Sequence, residues 1–454
     1  MSIDILNLPY VKVIDAINTD GVYRIKSQGT VLPTTCPACS CALLHKHGSK
    51  QQCFIDCPIH GNRVSIEIER RRFRCQSCGK TLFEPLPDMD AKRMITSRLL
   101  SYIENRCLKR PFSQTALEVG VDEKTVRNIF DDYRVRLAST VKFETPRYLG
   151  IDEIHIIKGY RAVLTNVEKN TLFDMIHNRK KEVLMPYFEA LPDRESIELV
   201  AMDMWRQYKQ IVNTTLPQAK VVIDKFHVQR MANYSMESVR KRVRKEVSSK
   251  QRLKLKNDRH TLLYRAHSLS LSQQAIVAEW SEKFPMLGKA HAKKEAFFDI
   301  WLAESRLDAE GMYDEWAGEI DDDILWAFQD IIRAVGNWRH EIFNYFDHPI
   351  TNAYTESKNS VIRSVNRMAR GYSFDVLRAK VLYDEESRAD SKTTIRTKSR
   401  KRVIESDEGT CDYFLTSAAP DRRKKLKTII RKIVVEYGPY LPTLAKRLEN
   451  GALE

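Results

Sequence analysis

The rhythm of hydrophobic and polar positions changes several times along the chain. In VSIEIERRRFR, Val64 to Arg74, apolar and polar residues alternate with the period of two that marks a half-buried strand. In SQTALEVGVDEKTVRNIF, Ser113 to Phe130, the period lengthens to that of helices. Ala116 and Leu117 are the apolar positions of a first helix, Gly120 supplies a turn, Asp122 caps a second helix, and Val126 and Ile129 are its buried positions. This is a helix-turn-helix pattern. Its second helix would expose Lys124, Thr125, Arg127 and Asn128, groups that reach phosphates and base edges.

Beyond Pro146 the pattern becomes extended. RYLGIDEIHII, YRAVLTNVEKN and TLFDMIHNRK are three strand-like runs joined by short turns. The helix-like KKEVLMPYFEAL, the apolar run SIELVAMDMW, the helix-like WRQYKQIVNTTLP and the apolar run KVVIDKFHV follow. Three strands, helix, strand, helix, strand is the order of a ribonuclease H-like fold, and the fold class expected is multidomain α/β. Residues 231–348 read as an all-helical insertion in which Trp280, Trp301, Trp316, Trp326 and Trp338 are mostly core. The divisions expected are 1–87, 88–145 for the helix-turn-helix, 146–230 and 349–390 for the two parts of the core, 231–348 for the insertion, and 391–454 for a basic linker and terminal helix.

Such a core carries carboxylates on its first and fourth strands and on a late helix. Asp152 lies in the first strand, Asp203 at the end of the fourth, and Glu356 in ITNAYTESKNSVIRSVNRMARGYSF, with Arg363, Arg367 and Arg370 near the same helical face. Both aspartates interrupt strongly apolar runs, where an unpaired charge is costly. Two strand carboxylates with a helical Glu suit two divalent ions, Mg²⁺ or Mn²⁺. Asp224, read with His227 as part of the fifth strand, is the rival for the second carboxylate, and on these residues the choice stays open.

Charge and cysteine content extend the picture. The 454 residues carry a formal net charge of +15, with Lys and Arg gathered in QRLKLKNDR, SKTTIRTKSRKR and DRRKKLKTIIRK, which suits a polyanion. Of nine cysteines, seven fall between Cys36 and Cys78, a spacing foreign to a secreted disulfide framework. The CPAC pair (Cys36, Cys39) and the CQSC pair (Cys75, Cys78) each aim two thiolates at one tetrahedral ion, so residues 1–87 read as a zinc ribbon with an insertion and a structural Zn²⁺. Cys41, Cys53 and Cys57 are alternative ligands. No apolar run of membrane-spanning length and no signal-peptide pattern appear, so a cytoplasmic, nucleoid-associated protein without a membrane partner is expected.

In this order the CxxC pairs, RRRFRCQSCGK, the helix-turn-helix, YLGIDEIHIIKGYRAVLTNVE, AMDMW, VVIDKFHVQR and TNAYTESKNSVIRSVNRMARGYSF resemble the ISL-three family of bacterial insertion-sequence transposases. The resemblance implies a DNA transposase that binds the terminal inverted repeats of its element, cleaves and joins DNA with metal ions, and works as at least a homodimer on transposon-end and target DNA. It implies Asp152, Asp203 and Glu356 as the metal-binding triad, with Asp224 and His227 supporting the site and His227 a candidate contact to the scissile phosphate. Rival readings are a catalytically inactive, transposase-derived DNA-binding regulator and a nuclease that cuts without strand transfer.

Overall fold

The computed structural model describes residues 6–368 and 371–388. Arg370 and the basic segments expected within 391–454 lie outside the described residues.

The chain opens with a sheet of β1 (Val11–Thr19), β2 (Val22–Gly29), β3 (Leu44–Ile59), β4 (Asn62–Cys75), β5 (Thr81–Phe83), β6 (Met89–Asp90) and β7 (Ile95–Thr96), in the order β1-β2-β4-β3-β7-β6 with β5 on β4. The alternation read in the sequence is what builds it. Val64, Ile66 and Ile68 of β4 are buried against Ile25 and Phe54, forming a core of their own. Because β6 and β7 belong to this sheet, it extends past the division expected at residue 87. Buried Asp56 ties it to the next element, accepting from Thr96 Oγ1 at 2.6 Å and Arg98 Nε at 2.8 Å.

Three helices follow: α1 (Ser97–Lys109), α2 (Phe112–Val119) and α3 (Glu123–Thr140). Gly120 ends α2 with φ 74°, the left-handed region where glycine carries no Cβ penalty, and a Cβ there would also press on the Arg63 side chain. Asp122 caps α3 by accepting from the Lys124 amide at 2.8 Å. Val126 and Ile129 are fully buried as expected, whereas Leu117 is 74 % exposed; Ala116 and Val119 take the inward positions of α2.

The second sheet comprises β8 (Tyr148–Ile156), β9 (Gly159–Asn166), β10 (Thr171–Ile176), β11 (Leu199–Met202) and β12 (Lys220–Ile223), in the order β10-β9-β8-β11-β12. The first three are antiparallel, and β11 pairs parallel with both β8 and β12. On one face Leu149, Ile151, Val200, Met202 and Ile223 pack with α4 (Lys181–Glu189) and α5 (Arg206–Thr215). On the other, Ile154, Ile156, Val163 and Met175 share a core with α1, α2 and α3 and with two late helices.

β12 is followed by an all-helical stretch: α6 (Lys225–Glu246), α7 (Ser249–Asn257), α8 (Arg259–Leu263), α9 (Leu271–Lys283), α10 (Pro285–Asp299), α11 (Arg306–Gly318) and α12 (Asp322–Asp347). Trp280, Trp316 and Trp338 are buried in it, while Trp326 is 37 % exposed beneath Arg242. The late helices are α13 (Ala353–Met368) and α14 (Phe374–Tyr383), followed by the short α15 (Glu385–Arg388). One expectation is corrected here. Asp224 and His227 are not strand residues: β12 stops at Ile223, Asp224 accepts from the Phe226 amide at 3.3 Å as the N-cap of α6, and His227 sits in the first turn of that helix. No described helix is long and apolar enough to cross a membrane.

Candidate active site

Strand register gathers three carboxylates in one row. Ile151 pairs with Met202, and Met202 with Ile223, so Asp152, Asp203 and Asp224 each stand one residue further on in three adjacent parallel strands or at their ends. Strand alternation places this row on the face opposite Ile151, Met202 and Ile223, the face that α13 covers. Gly150 makes the close approach of α13 feasible. A Cβ there would lie 2.4 Å from Thr165 Oγ1, 2.7 Å from Thr355 Oγ1 and 2.8 Å from Asn352 Oδ1. Asn352 Nδ2 donates to the Ile151 carbonyl at 2.9 Å, and Thr355 and Thr165 share a 2.6 Å hydrogen bond. These contacts set the helix that carries Glu356.

The acids have unlike surroundings. Asp152 is buried, its Oδ2 accepting from Asn359 Nδ2 at 2.7 Å and its Oδ1 from the Glu153 amide at 2.6 Å. Burial, with the charges of Asp203 and Glu356 behind it, pushes its carboxyl up to about 7. Asp224 is fully buried, with both oxygens engaged, one by the Phe226 amide and one by His227 Nδ1 at 3.3 Å. Asp203 is partly exposed, and its Oδ1 carries no hydrogen bond. His227 Nδ1 lies 2.9 Å from that oxygen, a close charge contact without hydrogen-bond alignment. Burial opposes the charged form of His227, but Asp203 and Asp224 outweigh it and raise the imidazole to about 10. Glu356 is held by Arg230 Nη2 at 2.9 Å and lies 4.0 Å from His227 Nε2.

Ligand atoms of Asp203, Asp224 and His227 lie within 4.8 Å of one another, a grouping that could hold a cation. Asp152 and Glu356 are electrostatically coupled to it without belonging to it. Asp152, Asp203, Asp224 and Glu356 outnumber the two cations that face them, His227 and Arg230, and this surplus of carboxylate fits a divalent cation. Asn352, Asn359, Gly150 and Arg230 were missed in the sequence. The only signal for the first two was their place four residues before and three after Glu356.

At the other end of the chain Cys36, Cys39, Cys75 and Cys78 form a closed four-sulfur cluster. The Cys36–Cys78 and Cys39–Cys75 Sγ separations are both 3.6 Å. A tetrahedron with Zn–S bonds of about 2.3 Å has edges of about 3.8 Å, so the cluster fits a structural zinc ion without rearrangement. The Cys78 amide leads the contacts that lower the Cys75 thiol to about 6 and the Ala38 amide those that lower Cys36, whereas the Cys41 amide is outweighed by Cys78 and Cys75, which raise Cys39. Cys41, Cys53 and Cys57 stand outside the cluster. On α3, Lys124, Arg127 and Asn128 are exposed and Thr125 partly so, Arg127 paired with Glu123 at 2.9 Å. On α13, Arg363 and Arg367 are exposed.

Comparison with known proteins gives three matches along the chain. Residues 149–381 match the ISL3-type family model described as a transposase. Residues 84–134 match the helix-turn-helix domain of transposase family ISL3, and residues 32–78 the zinc-finger of transposase IS204/IS1001/IS1096/IS1165. The transposase for insertion sequence element IS1001 of Bordetella parapertussis is 24 % identical over 351 residues, which cover 74 % of this chain and 85 % of that protein.

Proposed function

The chain belongs to the ISL3 family of transposases, and from that premise we propose that its second sheet is a ribonuclease H-like core in which Asp152, Asp203 and Glu356 hold two Mg²⁺ or Mn²⁺ ions. The observation that carries the assignment is the contrast between two aspartates. Asp224 is fully buried with both oxygens spent on α6 and His227, whereas Asp203 is partly exposed, with His227 Nδ1 at 2.9 Å from one oxygen. Asp224 and His227 then orient the site, and Asp203 binds metal. Divalent ions bound there would activate water and stabilise the leaving oxygen.

The residues of the chain supply the rest. Asn359 fixes the Asp152 carboxylate, and the contacts of Asn352 and Thr355 fix the helix of Glu356. His227, 2.9 Å from Asp203 and 3.3 Å from Asp224, stands beside the metal-binding acids, where it contacts the scissile phosphate. In the first step water attacks the phosphorus at a transposon end and the P–O bond to the 3′ oxygen breaks, leaving a 3′ hydroxyl. In the second, that hydroxyl attacks a target phosphodiester in line; a new P–O bond forms, the target P–O bond to its 3′ oxygen breaks, and the proton given up by the attacking hydroxyl is replaced by one taken up at that leaving oxygen. The zinc ribbon and helix-turn-helix bind the terminal inverted repeats, Lys124, Thr125, Arg127 and Asn128 reading them from α3. Arg363, Arg367 and Arg370 steady the backbone beyond the site. Joining two ends calls for two copies of the site, hence a homodimer, with the division into domains given above.

The test is strand cleavage and joining on a labelled transposon-end duplex with Mg²⁺. Asp203→Asn is expected to abolish both steps, and Asp224→Asn to retain measurable cleavage. The reverse pattern would transfer the metal to Asp224.

A further inference from the structure

The helix that His227 opens does not end at the active site. His227, Arg230, Tyr234, Ser238, Lys241 and Lys245 follow one another at steps of three, four, four, three and four residues along α6. At 100° per residue they fall within about 80° of one another, a stripe about 27 Å long. It begins at the carboxylates and runs outward. Arg230 is 41 % exposed at its side chain, Tyr234 is 61 % exposed, and Ser238, Lys241 and Lys245 are all exposed.

Tyr234 has no packing reason to be aromatic. It is the most exposed Phe, Tyr or Trp among the described residues, in a helix whose inner positions, Val228, Ala232, Met236, Val239 and Val243, are buried. An exposed ring flanked by cations on a continuous face is what single-stranded nucleic acid uses for base stacking. Arg230, one turn before Tyr234 on the same helix, pairs with Glu356 at 2.9 Å, so the stripe starts from a proposed metal-binding acid.

Resting on the transposase reading above, we propose that α6 is the seat of the DNA strand that is cut. Arg230 grips a phosphate beside the scissile one, Tyr234 stacks on an unpaired base of the adjoining nucleotide, and Lys241 and Lys245 follow the backbone outward. Arg230 also links DNA arrival to completion of the acid set. While it holds Glu356 at 2.9 Å that carboxylate is committed to the guanidinium, and an incoming phosphate offers Arg230 a replacement partner that releases Glu356. Such a nucleotide need not be read by sequence, because every base has a stacking face.

The experiment uses the full chain and duplexes ending in the inverted repeats that border its own coding sequence. 5-Iodouracil is placed in turn at positions flanking the scissile phosphate, and cleavage is measured with Mg²⁺ on intact ends and on ends made abasic at the crosslinking position. Photocrosslinking to Tyr234 is expected at one of these positions. Tyr234→Ala should cut intact ends about tenfold to a hundredfold more slowly, the loss of one base–aromatic stack. It should match wild type on the abasic end, and Tyr234→Phe should restore cutting. If wild type cuts its ends while Tyr234→Ala cuts them as fast, or is as impaired on abasic as on intact ends, the inference falls and the transposase reading stands. If wild type neither binds nor cuts the ends, both fall.

Discussion

At the scale of single residues, the site depends on groups that are themselves neither acid nor base. Asn359 spends its amide on the buried Asp152, holding at 2.7 Å a carboxylate that its surroundings push toward protonation. Asn359→Ala would leave Asp152 with one fewer hydrogen bond favouring its charged form. Removing an outer-shell partner of this kind typically costs about 10- to 100-fold in metal affinity or activity. The expectation is a cleavage defect of that size that shrinks as Mg²⁺ is raised, with unchanged affinity for end DNA by fluorescence anisotropy. Equal defects at all Mg²⁺ concentrations would show that Asn359 acts by another route. Gly150 makes the complementary point by what it lacks. In Gly150→Ala the new methyl meets Thr165, Thr355 and Asn352 below 3 Å, so α13 must retreat from β8. Overpacking of that sort costs about 1–3 kcal/mol, which denaturant unfolding would register, and Glu356 would move with the helix. Cleavage should therefore fall far more than stability.

Elements show where the sequence was legible and where it was not. The strands carrying Asp152 and Asp203 announced themselves, because a charge in a strongly apolar run is rarely idle. The misreading of Asp224 and His227 arose because β12 has four residues and its apolar run continues in phase through the residues that open α6. The corrective signal was present: an Asp at the N-cap position, then Val228, Ala232, Val239 and Val243 at helical spacing. Arg230 and Tyr234 needed that helix before they could be linked to the site, so no strand reading could have found them. Within the insertion, α10 gives a pH test. His291 is 8 % exposed with an unpartnered Nε2, and burial, followed by the charge of Lys294, lowers its imidazole to about 4. The unfolded chain takes up the proton near pH 6.5, whereas the folded chain resists until about pH 4. Its contribution is therefore complete above pH 6.5 and lost as pH falls through this window, by up to about 3 kcal/mol. Urea midpoints should drop between pH 7 and 4.5, and the drop should be smaller in His291→Gln.

On the scale of the whole molecule, the three matched regions are coupled unequally. The ribbon sheet has a core of its own and reaches a second only through Ile95, Ile55 and Cys57, whereas the helix-turn-helix lies wholly in that second core, shared with the sheet of the active site, where Phe112 and Phe130 meet Tyr372, Val376 and Leu377. Lys380 of α14 strengthens that joint. It is 1 % exposed, donates to the Arg110 carbonyl at 2.9 Å and to the Cys107 carbonyl, and lies 5.0 Å from the Phe112 ring. Order and identity of the regions were legible because cysteine spacing and helix capping are local signals. The shared core was not, since it joins residues about 270 positions apart, such as Arg110 and Lys380. This arrangement separates two perturbations. A chelator that strips zinc should unfold the ribbon, whose four thiolates would lose the ion that closes their cluster, while α1 to α3 stay folded on the core. Hydrogen exchange should then show β3 and β4 losing protection while α3 and β8 keep theirs, and affinity for end DNA should fall. Lys380→Ala should do the opposite. Leaving two buried carbonyls unpaired costs about 1–3 kcal/mol. Because the core is continuous, α1, α3 and β8 should lose protection together and the ribbon should hold. Loss of α3 protection on zinc removal alone would mean that the helix-turn-helix depends on the ribbon rather than on the core.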